Sequence, residues 1–467
     1  MAARKTKQKK RMSAQVVQDE DYQLRYERVA GIDGAKASGM VCLRLPPAEG
    51  KARRTSRTWE TGSTVPDIAA VAAELAAAGV EKVSMESTSD YWRGWFTVLE
   101  EAGLSVQLVN SSQAKNMPGR PKTDKHDAQW IARLTEMGLL APSFVPPPEI
   151  RALRVYTRQL VHLAQDRTRY WQRLEKLPED ALCKLSSVVS KMAGSQSVRA
   201  MLEAMIAGQR DPQVLADLAR GPMRGRRADL VKAFTGMRFG PQHAFAAAGH
   251  LRAITFLDAE IRALEAQVRA HIAAIPAAWG IDADGTTGPE AGFGADAVVL
   301  PVVARLAEIP GVSEILAIGL IAEIGLDMTR FPTPAHLVSW AGMAPVADRS
   351  GPRRGRGKKG HGNSYARRVA ARAGAGAANT DTFLGERHRR IRQRPGGGGW
   401  KKADCAVGRS ILVIVWHLLN DPAARYRDLG PDHYARHADT GRKVRGHIRQ
   451  LQALGLDVTV TPRQEAA

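Results

Sequence analysis

Over the first third of the chain, apolar positions come in short blocks broken by glycine and charged turns; beyond it they settle into helical spacing. "RVAGID" is an apolar strand ending in a turn at Gly34, "GMVCLRL" alternates or runs apolar, and "RTWETGS" reads as a third short strand. The alanine-rich "VPDIAAVAAELAAAG" has helical spacing, "EKVSMES" returns to a strand, "YWRGWFTVLEEAG" is helical and "LSVQLVN" is a strand. "GRPKTDKHDAQWIARL", residues 119 to 134, then opens another helix. The order βββαβαβα predicts a mixed sheet with helices on its faces, the strand order of an RNase H-like fold. Asp33 then ends the first strand, Glu86 ends the fourth, and Asp124 with Asp127 starts the helix after the fifth. These acids, far apart in sequence, are expected to converge at one end of the sheet.

Residues 149 to 178 are helical in pattern, and residues 251 to 272 place Ile254, Leu257, Ile261, Leu264 and Val268 in steps of three and four. That seam suits either a short coiled coil between chains or a packed helical pair within one chain. Residues 179 to 245 read as mostly helical, and "GIDADGTTGPEAGFGAD" as a flexible linker. "LAEIPGVSEILAIGLIAEIG" is a pair of short helices punctuated by Pro-Gly; such a unit either presents backbone amides to a phosphate or is a plain helical hairpin. The expected class is α/β plus α. It comprises a basic tail at 1–26, the mixed-sheet domain at 27–148 and a helical, coiled-coil region at 149–279. A Gly-rich linker at 280–299, a mainly helical domain at 300–437 and a tail at 438–467 complete it.

The 467 residues carry Lys+Arg 68 against Asp+Glu 47, a net charge of +21, which favours polyanionic partners and above all nucleic acid. Much of that charge crowds into "DRSGPRRGRGKKGHGNSYARR", where Arg349, Arg353, Arg354, Arg356, Lys358, Lys359, Arg367 and Arg368 are candidate phosphate contacts. Cys42, Cys183 and Cys405 are too scattered for a disulfide framework or a zinc knuckle and read as core residues. No signal-peptide pattern is present, and "ILAIGLIAEIGL" and "SILVIVWHLL" fall short of a membrane span, so a soluble, intracellular protein is expected.

Two aspartates three apart on a helix repel one another, so Asp124 and Asp127 invite a cation. With Asp33 and Glu86 they form an all-oxygen donor set that suits Mg²⁺, although solvated surface carboxylates are the ordinary alternative. Ser350 sits in a Gly-flanked loop ringed by guanidinium groups. It is either a turn residue or a nucleophile toward DNA phosphate, with His361 and Ser364 as rivals in the same loop.

"GIDGAK", "MESTSDYW" and "GRPKTDKHDAQWIARL", with "IPGVSEILAIGLIAEIG", "RFPTPAHLVSWAGMAP", "RSG", "GN" and "KKADCAVGRSILVIVWHLL" later, resemble the DEDD transposases of the insertion-sequence one-ten family. The resemblance covers residues 28 to 178 and 300 to 435. It implies a RuvC-like domain, a coiled-coil dimerisation part and a C-terminal transposase domain with a catalytic serine. The family's acidic positions fall on Asp33, Glu86, Asp124 and Asp127, and its serine on Ser350. It implies recombination of donor and target DNA guided by a structured bridge RNA of the element itself, by a homo-oligomer, dimer or tetramer, in the bacterial cytoplasm on the nucleoid. Three departures stand out: Ser89 where many relatives have glycine, lysine in "GKKGHGN" where a second serine is often found, and a longer region from 179 to 299. The rival expectations are a metal-only RuvC-type junction nuclease, in which Ser350 is dispensable, and a non-catalytic nucleic-acid-binding protein.

Overall fold

The computed structural model describes residues 24–50, 53–87, 89–110, 124–288, 291–294, 296–345, 349–350, 353–354, 362–394, 398–437 and 440–461. The chain divides into two compact units, Met1–Val145 and Pro146–Ala467.

In the first unit, β1 (Val29–Gly34), β2 (Ser38–Pro47) and β3 (Arg54–Gly62) form an antiparallel meander. α1 (Val65–Ala77), β4 (Lys82–Glu86), α2 (Trp92–Glu101), β5 (Val106–Val109), α3 (Asp124–Glu136) and a two-residue β6 (Pro142–Ser143) follow. The sheet order is β3-β2-β1-β4-β5-β6, with β4 parallel to both β1 and β5. This is the arrangement the hydrophobic pattern predicts, and it fits an RNase H-like sheet. One face buries Ala30, Ile32, Val83 and Met85 against Ile68, Leu75, Trp95 and Leu99 of α1 and α2. The other face buries Val29 and Cys42 against Ala128 and Ala132 of α3.

The second unit is helical. α4 (Pro148–Asp180) and α8 (Pro241–Ala273), each 33 residues, pack antiparallel. Tyr156 lies on His271 at one end, Arg167 pairs with Asp258 midway, and Tyr170 meets His250 toward the other end. The heptad seam is consumed here: Ile254, Leu257, Ile261 and Val268 are buried within the chain, and α4 is the principal partner of their helix. Between the long helices, α5 (Gln196–Ile206), α6 (Pro212–Asp217) and α7 (Arg227–Phe234) close a separate core of Leu174, Cys183, Met201, Phe234 and Leu251.

The Gly-rich stretch after α8, where described, is a hydrogen-bonded loop. Ile281 and Val299 exchange backbone hydrogen bonds of 2.7 and 2.8 Å, and the buried Asp282 carboxylate accepts the amides of Asp284, Thr286 and Gly292. Beyond it lie α9 (Val302–Ala307), α10 (Glu314–Ile324), α11 (Pro334–Trp340), the ribbon β7 (Arg349–Ser350) and β8 (Arg353–Arg354), α12 (Ser364–Ala377), α13 (Phe383–Arg392), α14 (Trp400–Asn420) and α15 (Thr440–Ala453).

Glycine and alanine in α12 allow near backbone contact on two sides. A Cβ on Gly374 would meet the Asp404 carbonyl at 2.4 Å, and one on Gly311 the Ala373 carbonyl at 2.3 Å. The Pro-Gly turn between α9 and α10 is thus a helical hairpin packed on α12. By length and composition α14 could cross a membrane. It is longer than the apolar run alone suggests, and it packs as a core helix, burying Val407, Ile411, Leu412 and Val415.

Candidate functional site

In the first unit the strand pattern sets the positions of the acids. The parallel register pairs Ile32 with Met85, so Asp33 and Glu86 follow side by side at the C-terminal ends of β1 and β4. Side chains alternate across a strand. Ala30 and Ile32 belong to the α1/α2 face, which assigns Gly31 and Asp33 to the α3 face. On β4, Thr135 of α3 hydrogen-bonds the Ser84 hydroxyl at 2.7 Å, which assigns Ser84, and with it Glu86, to that same face.

α3 runs antiparallel to β1. Its last residue, Glu136, is 4 % exposed and takes a bidentate pair from Arg44 (2.7 and 2.9 Å), which is the register partner of Val29 at the start of β1. Its middle lies on Gly31, where a Cβ would come within 2.4 Å of the Ala128 carbonyl and the Ala132 amide. The first turn of α3, which contains Asp127, therefore reaches the edge where Asp33 and Glu86 end. The positive end of the helix dipole also favours carboxylates there.

Of Asp124 the structure describes the backbone, which opens α3. Among the described residues, no group of three or more His, Cys, Asp or Glu forms a ready-made metal cluster. What the fold supplies is a pair of carboxylate positions, Asp33 and Glu86, side by side at one edge, with the start of α3 directed toward the same edge. Just beyond Glu86, Ser89 has φ +48°, a left-handed conformation that favours glycine. The chain bends there as a glycine would, with a serine in its place.

In the second unit, Ser350 lies on β7, paired with Arg353, while Arg349 pairs with Arg354. Arg356, Lys358, Lys359 and His361 lie outside the described residues. Arg367 and Arg368 are the fourth and fifth residues of α12, and Asn363 caps that helix by accepting the amides of Tyr365 (2.9 Å) and Ala366 (3.0 Å). Ser364, the rival serine, is the first residue of α12 and is exposed.

A cavity of about 640 Å³ opens between α4, α8, α10 and α12, with Arg368 and Arg372 on its wall and Leu160, Val161, Leu316 and Val369 in its lining. At its base is a network that the sequence pattern missed. Glu323, 1 % exposed, accepts two hydrogen bonds from Arg158 (2.8 and 2.9 Å) and one from Asn363 Nδ2 (2.6 Å). The second glutamate of "EILAIGLIAEI", placed after eight residues without a charge, was the available signal, since a charge so placed needs partners.

Two family models match the chain: DEDD_Tnp_IS110, described as "Transposase", over residues 30–179, and "Transposase IS116/IS110/IS902 family" over residues 303–383. Comparison with curated proteins gives no match. Among solved structures, Thermus thermophilus RuvC is similar at 19% identity, with a TM-score of 0.20, over 25% of this chain and 99% of that one. The T. thermophilus RuvC complex with a Holliday junction substrate matches at 19% identity, with a TM-score of 0.19, over 25% of this chain and all of that one.

Proposed function

Because the chain belongs to the IS110 family of transposases, we propose that it cleaves and rejoins DNA through Ser350, with Asp33, Glu86, Asp124 and Asp127 holding Mg²⁺. The observation that carries the serine reading is the register of the ribbon. The backbone of Ser350 pairs with Arg353, and that of the preceding Arg349 with Arg354, so the candidate nucleophile lies on a ribbon with three arginine positions. Ser350 Oγ bonds to phosphorus as the bond to the neighbouring nucleotide breaks; the serine gives up its proton and the departing oxygen gains one. The phosphoserine ester conserves the bond energy, so a hydroxyl of a second strand rejoins by the reverse step. The guanidinium groups balance the charge that gathers on the phosphoryl oxygens in the transition state.

Mg²⁺, when bound, polarises a phosphodiester and activates a water or hydroxyl. The chain's own contribution at that edge is to hold the carboxylates: Glu136–Arg44 and Thr135–Ser84 fix α3, and Gly31 lets it sit directly on the strand.

Donor and target DNA are the substrates, a structured RNA of the element is the guide, and the working form is a homo-oligomer in the bacterial cytoplasm. The net charge of +21 supports nucleic-acid partners. Arg367 and Arg368 continue the basic segment along α12, and Arg368 and Arg372, which have no ion pair among the described residues, suit backbone phosphates. The guide RNA and the oligomer rest on the family resemblance.

The carboxylate edge also supports a second reading, metal-dependent hydrolysis without a covalent step. Denaturing digestion after incubation with DNA separates the two. The serine reading requires a DNA-linked peptide containing Ser350, lost together with cleavage in Ser350→Ala. Asp124→Asn should lower cleavage by orders of magnitude with the fold intact. Wild-type cleavage by Ser350→Ala, with no protein-linked strand, would leave the metal-only nuclease.

A further inference from the structure

Gly342 and Gly362, which flank the segment bearing Ser350, touch backbone to backbone. A Cβ on Gly362 would lie 2.4 Å from the Gly342 amide nitrogen and 2.7 Å from the Trp340 carbonyl. That carbonyl accepts the Asn363 amide at 3.1 Å. Gly342 itself has φ +67°, so both ends of this neck need glycine, one for conformation and one for closeness.

Asn363 has two tasks. Its Oδ1 caps α12, and its Nδ2 donates to Glu323 Oε2 at 2.6 Å. Glu323 is fixed from the other side by Arg158. Arg154 meanwhile donates to the carbonyls of Ala322 (2.9 Å) and Glu323 (2.7 Å), which are orphans of the last turn of α10. Arg158 also lies over the Tyr365 ring at 4.3 Å, and His162 hydrogen-bonds the Tyr365 hydroxyl at 2.9 Å. Glu323 is thus a carboxylate removed from water with both oxygens engaged. A buried ion pair of this kind adds little net stability over an apolar replacement; its attested use is to fix one arrangement.

We infer that Glu323 is a positioning residue, which through Asn363 holds the neck of the Ser350-bearing segment in register with α4 and α10. The inference rests on Ser350 being the nucleophile. It separates the two tasks of Asn363, because capping tolerates aspartate whereas the hydrogen bond to Glu323 requires a donor, which an aspartate carboxylate lacks.

Asn363→Asp keeps the cap but sets a carboxylate against Glu323. The charged groups already facing Glu323 are Arg154 and Arg158; Tyr365 and His162 lie behind Arg158, and Arg368 and Arg372 line the same cavity. Two adjacent carboxylates favour sharing a proton, so the defect should be relieved as pH falls. The assay uses the full-length protein with its copurifying RNA and plasmid DNA bearing the element's ends.

Asn363→Asp should keep wild-type helicity and bind DNA within about twofold of wild type, while cleavage at saturating DNA falls at least about tenfold and partly recovers toward about pH 6. Glu323→Gln should lose cleavage at saturating DNA without that recovery, and it carries the test alone if the aspartate variant does not fold. A Ser350 adduct in the wild type, with either folded variant cleaving within twofold of wild type at every pH, would overturn this inference alone. Absence of the adduct in the wild type would overturn the serine reading and this inference with it.

Discussion

Gly31→Ala is the smallest change that should damage the carboxylate edge without touching a carboxylate. The added Cβ would lie 2.4 Å from both the Ala128 carbonyl oxygen and the Ala132 nitrogen, and 2.9 Å from Ala132 Cα, where ordinary contact begins at 3.4 Å. The difference, 3.4 − 2.4 = 1.0 Å, is the distance α3 must retreat from β1. No flexible side chain absorbs it, because every atom met is backbone. Overpacking of this kind costs about 1–3 kcal/mol. A displacement of ~1 Å between catalytic groups lowers rates by roughly a hundredfold, and here it falls between two of the proposed metal ligands, Asp33, two residues after the substitution, and Asp127, one residue before the contact.

Gly34→Ala is the matched control on the same strand, since its Cβ would meet only Trp95 at 3.5 Å. Urea unfolding should show a lower midpoint for Gly31→Ala at unchanged slope. Cleavage should fall far more than the lost stability explains, while Gly34→Ala remains close to wild type in both. If Gly31→Ala unfolds and cleaves like wild type, α3 does not set the spacing of the acids.

Ser89→Gly should raise the stability of the first unit by up to ~1 kcal/mol, because it removes the left-handed penalty at φ +48°; a lower urea midpoint would refute this. Leu257→Asp should destabilise the second unit by at least ~3 kcal/mol in thermal unfolding, because Leu257 is buried inside the chain. A change of molecular mass in light scattering at unchanged stability would instead assign the seam to another chain. Burial pushes the Cys183 thiol up to about 11, so iodoacetamide should label it only after denaturant is added. The sign for stability follows. Below the ordinary value of 9.0 the folded and unfolded chains both keep the proton. Above it only the folded chain does, so stability should fall as pH climbs toward 11.

The strand order was legible because each strand of the first unit is bounded by turn residues and carries an apolar face, and period 2 with short connections leaves few topologies. The two-residue β6 has no period to read. The seam at Ile254 to Val268 announced that a stripe is buried but not what buries it, since an internal helix and a second chain offer the same apolar surface. Composition alone made residues 280 to 296 a flexible linker. What it did not reveal is that Asp282 gathers three backbone amides, a long-range arrangement carried by a single side chain. Asp33 and Glu86 were visible as strand ends, whereas Glu323 took its significance from Arg158 and Asn363, 165 and 40 residues away.

The antiparallel course of α4 and α8 has a consequence for how the length of this protein can change. Because the two helices run in opposite directions, the chain departs after Asp180 and comes back at Pro241 at the same end of the pair, and residues 181–240 form an excursion with neighbouring points of exit and return. That excursion has its own core around Met201, Leu202, Leu215 and Phe234, and the contacts that join it to the rest come from the ends of the two long helices. A gene could lengthen, shorten or replace this stretch as a cassette, in frame, while the Glu323 network and the Gly342–Gly362 neck keep their own contacts. The end of the helical pair is thus the natural place to graft a tag or a second binding domain.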